Sequence, residues 1–121
     1  MKTIAIRTDG TIETIEIEPG LDSIQSAVGG YIEALQLTPK VHAYIDEEGK
    51  LKGKEVNFMA TFLCRKLEIG LMPADVIVGD MFLFGTGNDG DSIDVPENFL
   101  ADNDFLEHVL EKARDLPQKI E

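Results

Sequence analysis

The sequence contains one cysteine and no tryptophan, and only 7% of its residues are aromatic. The single cysteine, Cys64, excludes an internal disulfide framework and any zinc site built from several cysteines, so we expect the hydrophobic core alone to hold the fold. The chain also lacks the run of about 18 apolar residues that a membrane-spanning helix needs. Its first residues reach Arg7 before the apolar core of a signal peptide could form. These absences predict a cytoplasmic protein that does not bind membranes.

Basic residues are scarce as well. Eleven Lys and Arg stand against 23 Asp and Glu, which gives a net charge of −12. Contacts with a phosphate backbone need clustered Lys and Arg, so the composition predicts no direct binding to nucleic acid. The 121 residues, 43% of them hydrophobic, are instead typical of a single folded domain.

The spacing of the apolar residues predicts an α+β fold. We expect one domain over residues 1–121, with a mostly antiparallel sheet of about five strands and two or three helices packed on one of its faces. The predicted elements are strands at 3–7 and 11–18, a helix at 21–28, strands at 31–35 and 41–45, a helix at 57–67, a strand at 76–84 and a C-terminal helix at 96–117.

Several local features refine this prediction. Ile12 differs in parity from Ile15 and Ile17, which predicts a bulge near residues 13–14 of the second strand. Asp22 or Ser23 is expected to cap the first helix, and Asn57 to cap the second. Gly29-Gly30 is expected to end the first helix with at least one residue at positive φ.

Four segments of the chain stand out. They are the hairpin start with Asp9-Gly10, Ile24 to Glu33, which contains VGGYIE, His42 to Leu51 followed by Asn57 and Ala60, and Asp75 to Asp80 with the sequence DVIVGD. Together these segments, which span residues 1–85, resemble a family of small proteins found in bacteriophages, plasmids and their hosts, which is known only as a domain of unknown function. The resemblance implies a protein carried by a phage or other mobile element, and it supplies no catalytic residue.

The loop at residues 85–95 contains a G-x-G-x-x-G match at Gly85–Gly90. A dinucleotide-binding turn would present a helix N-terminus to phosphates, whereas Asp89, Asp91 and Asp94 would repel them. The spacing of an EF-hand is absent too, because glycines stand where the first ligands belong. Cys64 lies among apolar residues of a predicted helix and is interpreted as a core residue. The sequence therefore predicts no catalytic residue, metal site or cofactor.

Acidic residues concentrate in the last third of the chain. No Lys or Arg occurs between Asp75 and Glu111, where ten acidic residues lie. This distribution predicts a negative surface that engages a basic host protein, with a purely solubilising surface as the alternative. The candidate residues are Asp89, Asp91, Asp94, Glu97, Asp102 and Asp104.

Two neighbouring strands suggest a different site. Alternation places Tyr31 and Glu33 on one face of their strand, and His42 and Tyr44 on one face of the next. If the two faces coincide, the four side chains could bind a planar, nucleotide-like small molecule or supply an acid and a base. Glu33 opposite His42 would raise the histidine pKa. The alternative is that these are ordinary half-buried sheet residues.

The function that these patterns favour is a non-enzymatic binding protein of a phage or mobile element that engages a host protein through its acidic surface. The alternative function is a small-molecule binder or enzyme that uses the four-residue sheet face. The sequence carries no signal for the oligomeric state.

Overall fold

A computed structural model of the chain describes residues 1–69 and 75–99. In this part, a single open antiparallel sheet of six strands is combined with two helices, which is an α+β fold and confirms the predicted fold class. The elements are β1 (Lys2–Ile6), β2 (Ile12–Glu16), α1 (Leu21–Val28), β3 (Ile32–Thr38), β4 (Val41–Asp46), α2 (Phe58–Lys66), β5 (Met81–Thr86) and β6 (Ser92–Ile93).

The strand order is β2-β1-β5-β4-β3, and β5 therefore lies at the centre of the sheet. The short strand β6 pairs with the end of β5, where Ile93 lies opposite Gly85. The backbone N–H of Val95 donates to the carbonyl of Lys2 at 3.0 Å. These contacts place β6 on the same side of β5 as β1, just beyond the start of β1.

The two helices cover opposite faces of the sheet. Ile4, Ile6 and Leu83 pack in the cluster that contains α2, whereas Ala5 and Phe82 pack in the cluster that contains α1. We call these surfaces the α2 face and the α1 face. The expectation that all helices pack on one face is wrong, because β1 and β5 carry apolar residues at consecutive positions and both faces need a cover.

The second strand has no bulge. Its pairing with β1 runs in unbroken register from Lys2 opposite Glu16 to Ile6 opposite Ile12. Ile12 packs against the α2 cluster and Ile15 against the α1 cluster. The predicted bulge is therefore wrong, since the change in parity reflects a strand that contributes apolar residues to both faces.

Glycines define both ends of α1. Gly29 adopts the left-handed conformation at φ +85°, which confirms the predicted end of the helix. Its start differs from the prediction, because Gly20 is the N-cap and neither Asp22 nor Ser23 caps the helix. Asp22 lies in the first turn instead, where its charge favours the positive end of the helix dipole.

A buried carboxylate stabilises the C-terminal end of α1. Lys54 Nζ donates to the carbonyl of Val28 at 2.8 Å, and Lys52 Nζ donates to that of Gly29 at 3.0 Å. Both ammonium groups contact Asp46, whose side chain is 1% exposed, at 2.8 and 2.9 Å. Since α1 has no basic residue in its own last turn, these lysines supply the positive charge that a helix C-terminus favours.

Asn57 connects α2 to the sheet. Its side chain accepts a hydrogen bond from the backbone N–H of Ala60 at 3.0 Å, which confirms the predicted cap. The same side chain donates to the carbonyls of Ile6 and Gly79 at 2.8 and 2.9 Å. Gly79 has a φ of +76°, and β5 begins only at Met81, so the strand predicted at 76–84 starts later than expected.

Cys64 is completely buried in the α2 cluster, which confirms its role as a core residue. Burial raises the pKa of its thiol from 9.0 to about 12. We expect the native chain to react with Ellman's reagent about 1,000-fold more slowly than the urea-unfolded chain. The reason is that the thiolate is the reactive form, and a pKa that is three units higher lowers the thiolate fraction by about this factor. Equal rates in the two states would contradict this burial.

No helix among the described residues has the length and apolar character needed to cross a bilayer. The predicted C-terminal helix at 96–117 falls almost entirely outside the described residues, as do Asp102 and Asp104.

Candidate functional site

The four residues predicted to share a sheet face do not do so. In the pairing of β3 with β4, Tyr44 lies opposite Ala34 and His42 lies opposite Gln36. Residues directly opposite each other share a face, so Glu33 points to the α2 face while His42 and Tyr44 point to the α1 face. The predicted common face is therefore wrong.

Tyr31 and Glu33 also contribute to separate surfaces. Tyr31 precedes β3, is 66% exposed and lines a shallow depression with residues of α1, including Asp22 and Gln25. Glu33 lines a different cavity of about 150 Å³ with Leu35. The structure thus brings together His42 and Tyr44 only.

His42 is the centre of a hydrogen-bonded polar cluster on the α1 face. Its Nδ1 lies 2.7 Å from Thr86 Oγ1, and its Nε2 lies 2.9 Å from Ser92 Oγ. The Tyr44 hydroxyl lies 2.8 Å from the same Ser92 oxygen, and Gln36 Nε2 donates to Thr86 Oγ1 at 3.0 Å. We call these five residues the His42 cluster.

The surroundings of His42 favour a neutral imidazole. The residue is 4% exposed, its ring lies 5.0 Å from that of Tyr44 in an edge-on arrangement, and it stacks on Phe84 at 6.3 Å. Burial lowers the pKa of His42, and the negative charge of Asp91 opposes this only in part. The increase in pKa expected from Glu33 is wrong, because Glu33 lies on the other face.

The acidic segment forms a hairpin at its start. The Gly87 N–H donates to the Asp91 carbonyl at 2.8 Å, and the Gly90 N–H donates to the Gly87 carbonyl at 2.9 Å. Gly90 has a φ of +80°, which favours glycine in this turn. The G-x-G-x-x-G match is therefore the end of β5 and a turn that leads into β6, and the predicted loop at 85–95 contains paired strand residues.

Four candidate acidic residues lie on or beside this hairpin, and all four are exposed. None of them forms an ion pair with a residue in the described ranges 1–69 and 75–99. The carboxylate of Asp94 accepts the backbone N–H of Lys2 at 3.0 Å, which fixes it at the sheet end. We call this set the hairpin carboxylates: Asp89, Asp91, Asp94 and Glu97.

The described part of the chain contains no group of three or more His, Cys, Asp or Glu side chains placed to hold a metal ion.

The family described as a domain of unknown function, DUF3846, matches residues 1–109. The chain belongs to the DUF3846 family. The match continues beyond residue 85, where the resemblance seen in the sequence ends, and it therefore includes the hairpin carboxylates. No curated protein and no solved structure matches the chain.

Sequence reasoning missed three members of the His42 cluster in this DUF3846 chain: Gln36, Thr86 and Ser92. Gln36 follows the strand predicted at 31–35, and Thr86 and Ser92 lie in the segment predicted as a loop at 85–95. The available signal is Asp89-Gly90, a pair typical of hairpin turns, with Thr86 and Ser92 at comparable distances on either side. A hairpin prediction there would have placed the two hydroxyls opposite each other.

Proposed function

We propose that this DUF3846 chain is a cytoplasmic binding protein of a phage or other mobile element, and that its hairpin carboxylates engage a basic protein of the host. The observation that carries the proposal is the exposure of four carboxylates that lack ion-pair partners in the described part of the chain. Carboxylates that are not neutralised internally can form charge-assisted hydrogen bonds with Lys and Arg of a partner.

The hairpin is also firmly attached to the sheet. Residues 92 and 93 pair with β5, Asp94 accepts the N–H of Lys2, and Ser92 contacts His42 and Tyr44. A preorganised surface loses less conformational entropy on binding than a flexible loop does. Together with the net charge of −12, which attracts basic proteins over several ångströms, this supports a binding surface.

The association with a mobile element rests on the resemblance of the segments VGGYIE and DVIVGD to the family found in phages and plasmids. The genes that flank the coding sequence test this part of the proposal. Phage structural or integrase genes in its vicinity are expected, and a setting of housekeeping genes alone would contradict it.

The binding proposal is tested by comparing two variants that each lose four negative charges. In the hairpin variant the four hairpin carboxylates are replaced by their amides, and the amide oxygen at position 94 can still accept the Lys2 N–H. The control variant alters four exposed acidic residues elsewhere. The control substitutions are Glu16→Gln, Glu18→Gln, Asp22→Asn and Glu55→Gln.

Immobilised full-length chains are incubated with host lysate, and captured proteins are quantified by mass spectrometry at low and high salt. We expect the native and control chains to retain a basic protein that the hairpin variant loses by at least about tenfold, the effect of several ion pairs. Equal loss from both variants would indicate unspecific attraction and would contradict the proposal. So would retention by the hairpin variant.

A further inference from the structure

Ser92 and His42 have the geometry of a nucleophile and its general base. The serine oxygen lies 2.9 Å from Nε2 of the imidazole, and the other ring nitrogen is held at 2.7 Å by Thr86. A hydroxyl in contact with an oriented base is the arrangement by which enzymes activate serine. We propose that Ser92 is a nucleophile activated by His42, and that this pair hydrolyses small neutral or cationic carboxylic esters. This activity is independent of the proposed binding function.

The hydrogen bonds of the His42 cluster are compatible with the tautomer that this chemistry requires. For Nε2 to accept the Ser92 proton, Nδ1 must carry a hydrogen and donate it to Thr86 Oγ1. That oxygen then accepts from both His42 and Gln36, which its two lone pairs allow. The Tyr44 hydroxyl can donate to Ser92 Oγ, which leaves the Ser92 hydrogen free to be donated to Nε2 of His42.

A substrate can approach Ser92 from the surface. Ser92 lines a shallow cleft of about 540 Å³ together with Met1, Pro19, Ile93 and Asp94. The carboxylate of Asp94 at this cleft disfavours anionic esters, while the apolar side chains suit short acyl or alkyl groups. The burial that keeps His42 neutral provides a base at neutral pH.

The reaction proceeds in two balanced steps. Ser92 Oγ forms a bond to the ester carbonyl carbon while His42 removes its proton, and His42 then donates that proton to the alcohol that leaves as the C–O bond breaks. In the second step His42 removes a proton from water, and the resulting hydroxide forms a bond to the carbonyl carbon of the acyl-serine. The bond between that carbon and Ser92 Oγ then breaks, and His42 returns the proton to Ser92 Oγ. The products are a carboxylic acid and an alcohol.

An alkyl fluorophosphonate tests the nucleophile directly, because it forms an O–P bond with an activated serine and releases fluoride. We expect one adduct per native chain, located at Ser92 by peptide mapping, and none in Ser92→Ala. The chain has three serines, so Ser26→Ala on α1 is a matched control that should react like the native protein. No adduct, or an equal adduct on Ser23 or Ser26, would overturn the proposal.

The base is tested by His42→Gln, which should slow labelling at least about 100-fold. Labelling of the native chain should also rise with pH to a plateau, with a midpoint below 6.5, because only neutral imidazole accepts the proton. This profile keeps the test decisive if His42→Gln does not fold. An unchanged rate in a folded His42→Gln, or a rate proportional to hydroxide throughout, would refute the base.

Thr86 acts as a positioning residue through His42. Thr86→Val should slow labelling, whereas Thr86→Ser, which keeps the hydroxyl, should restore it. The hydrolysis of p-nitrophenyl acetate should follow the same order, with the loss in kcat rather than KM. Equal labelling rates in the folded Val and Ser variants would show that Thr86 does not orient the base.

Discussion

Replacing Asn57 by alanine is expected to lower the free energy of unfolding by about 3 to 4 kcal/mol. The residue is completely buried, and the change removes the acceptor for the Ala60 N–H and the donors to the carbonyls of Ile6 and Gly79. The loss of the helix cap and of two buried hydrogen bonds to carbonyls adds to the effect of the cavity left behind. Urea denaturation followed by circular dichroism measures the effect.

Two further variants separate this explanation from a general sensitivity to mutation. Asn88→Ala removes an exposed asparagine and should change the stability by less than about 0.5 kcal/mol. Asn57→Asp retains the cap acceptor but places a carboxylate against two carbonyl oxygens, so it should be at least as destabilised as Asn57→Ala at neutral pH. A near-native stability of Asn57→Asp would show that only the cap matters.

Asp46→Asn is expected to cost about 2 kcal/mol at neutral pH, and the cost should disappear in acid. Burial alone would raise the pKa of Asp46, but hydrogen bonds from Lys54, Lys52 and the backbone N–H of Glu48 favour the carboxylate more strongly. They lower its pKa from 3.8 to about 2. Because the pKa of Asp46 is lower in the folded chain, its carboxylate stabilises the fold at pH values above 3.8. This contribution is lost as the pH falls from about 4 to 2.

The stability difference between the native chain and Asp46→Asn should therefore shrink across this pH range. Other acidic groups affect both proteins alike and cancel in the difference. Glu47→Gln, at the exposed neighbouring position, is the control and should remain close to the native stability throughout. A difference that does not depend on pH would mean that the Asp46 charge does not hold the end of α1.

Local patterns in the sequence predicted much of the fold. The apolar spacing at residues 21–28 coincides with α1, and the cap at Asn57 and the left-handed Gly29 follow from side-chain chemistry at single positions. The arrangement of the helices did not follow, because it depends on which face each apolar residue of β1 and β5 reaches. That information lies in the pairing of distant strands.

The composition of the candidate site also depends on strand pairing that local sequence patterns do not determine. Alternation correctly places His42 and Tyr44 on one face of β4. Whether Glu33 shares that face depends on the pairing register of β3 with β4. The register shift between Gln36 and Thr38 is not apparent from composition. Ser92 belongs to a strand of two residues, too short for a periodic pattern. The contacts of Ser92 with His42 and Tyr44 therefore become apparent only in the folded chain.

The hairpin carboxylates and the His42 cluster meet at Ser92. The cluster anchors β6 to the sheet through the contacts of Ser92 with His42 and Tyr44, and the neighbouring residues carry the exposed carboxylates. One short hairpin thus displays the charged surface and holds the hydroxyl that the cluster orients.

Carbodiimide coupling in host lysate tests the proposed binding surface most directly, because it joins a carboxylate to a contacting lysine without a spacer. The ion pair between Lys50 and Asp75 within the chain serves as an internal control for the coupling reaction. We predict intermolecular crosslinks from the hairpin carboxylates to lysines of one basic protein. Two results would contradict this prediction. One is a set of intermolecular crosslinks spread evenly over Glu16, Glu18 and Glu55, and the other is formation of the Lys50–Asp75 crosslink without any crosslink to another protein.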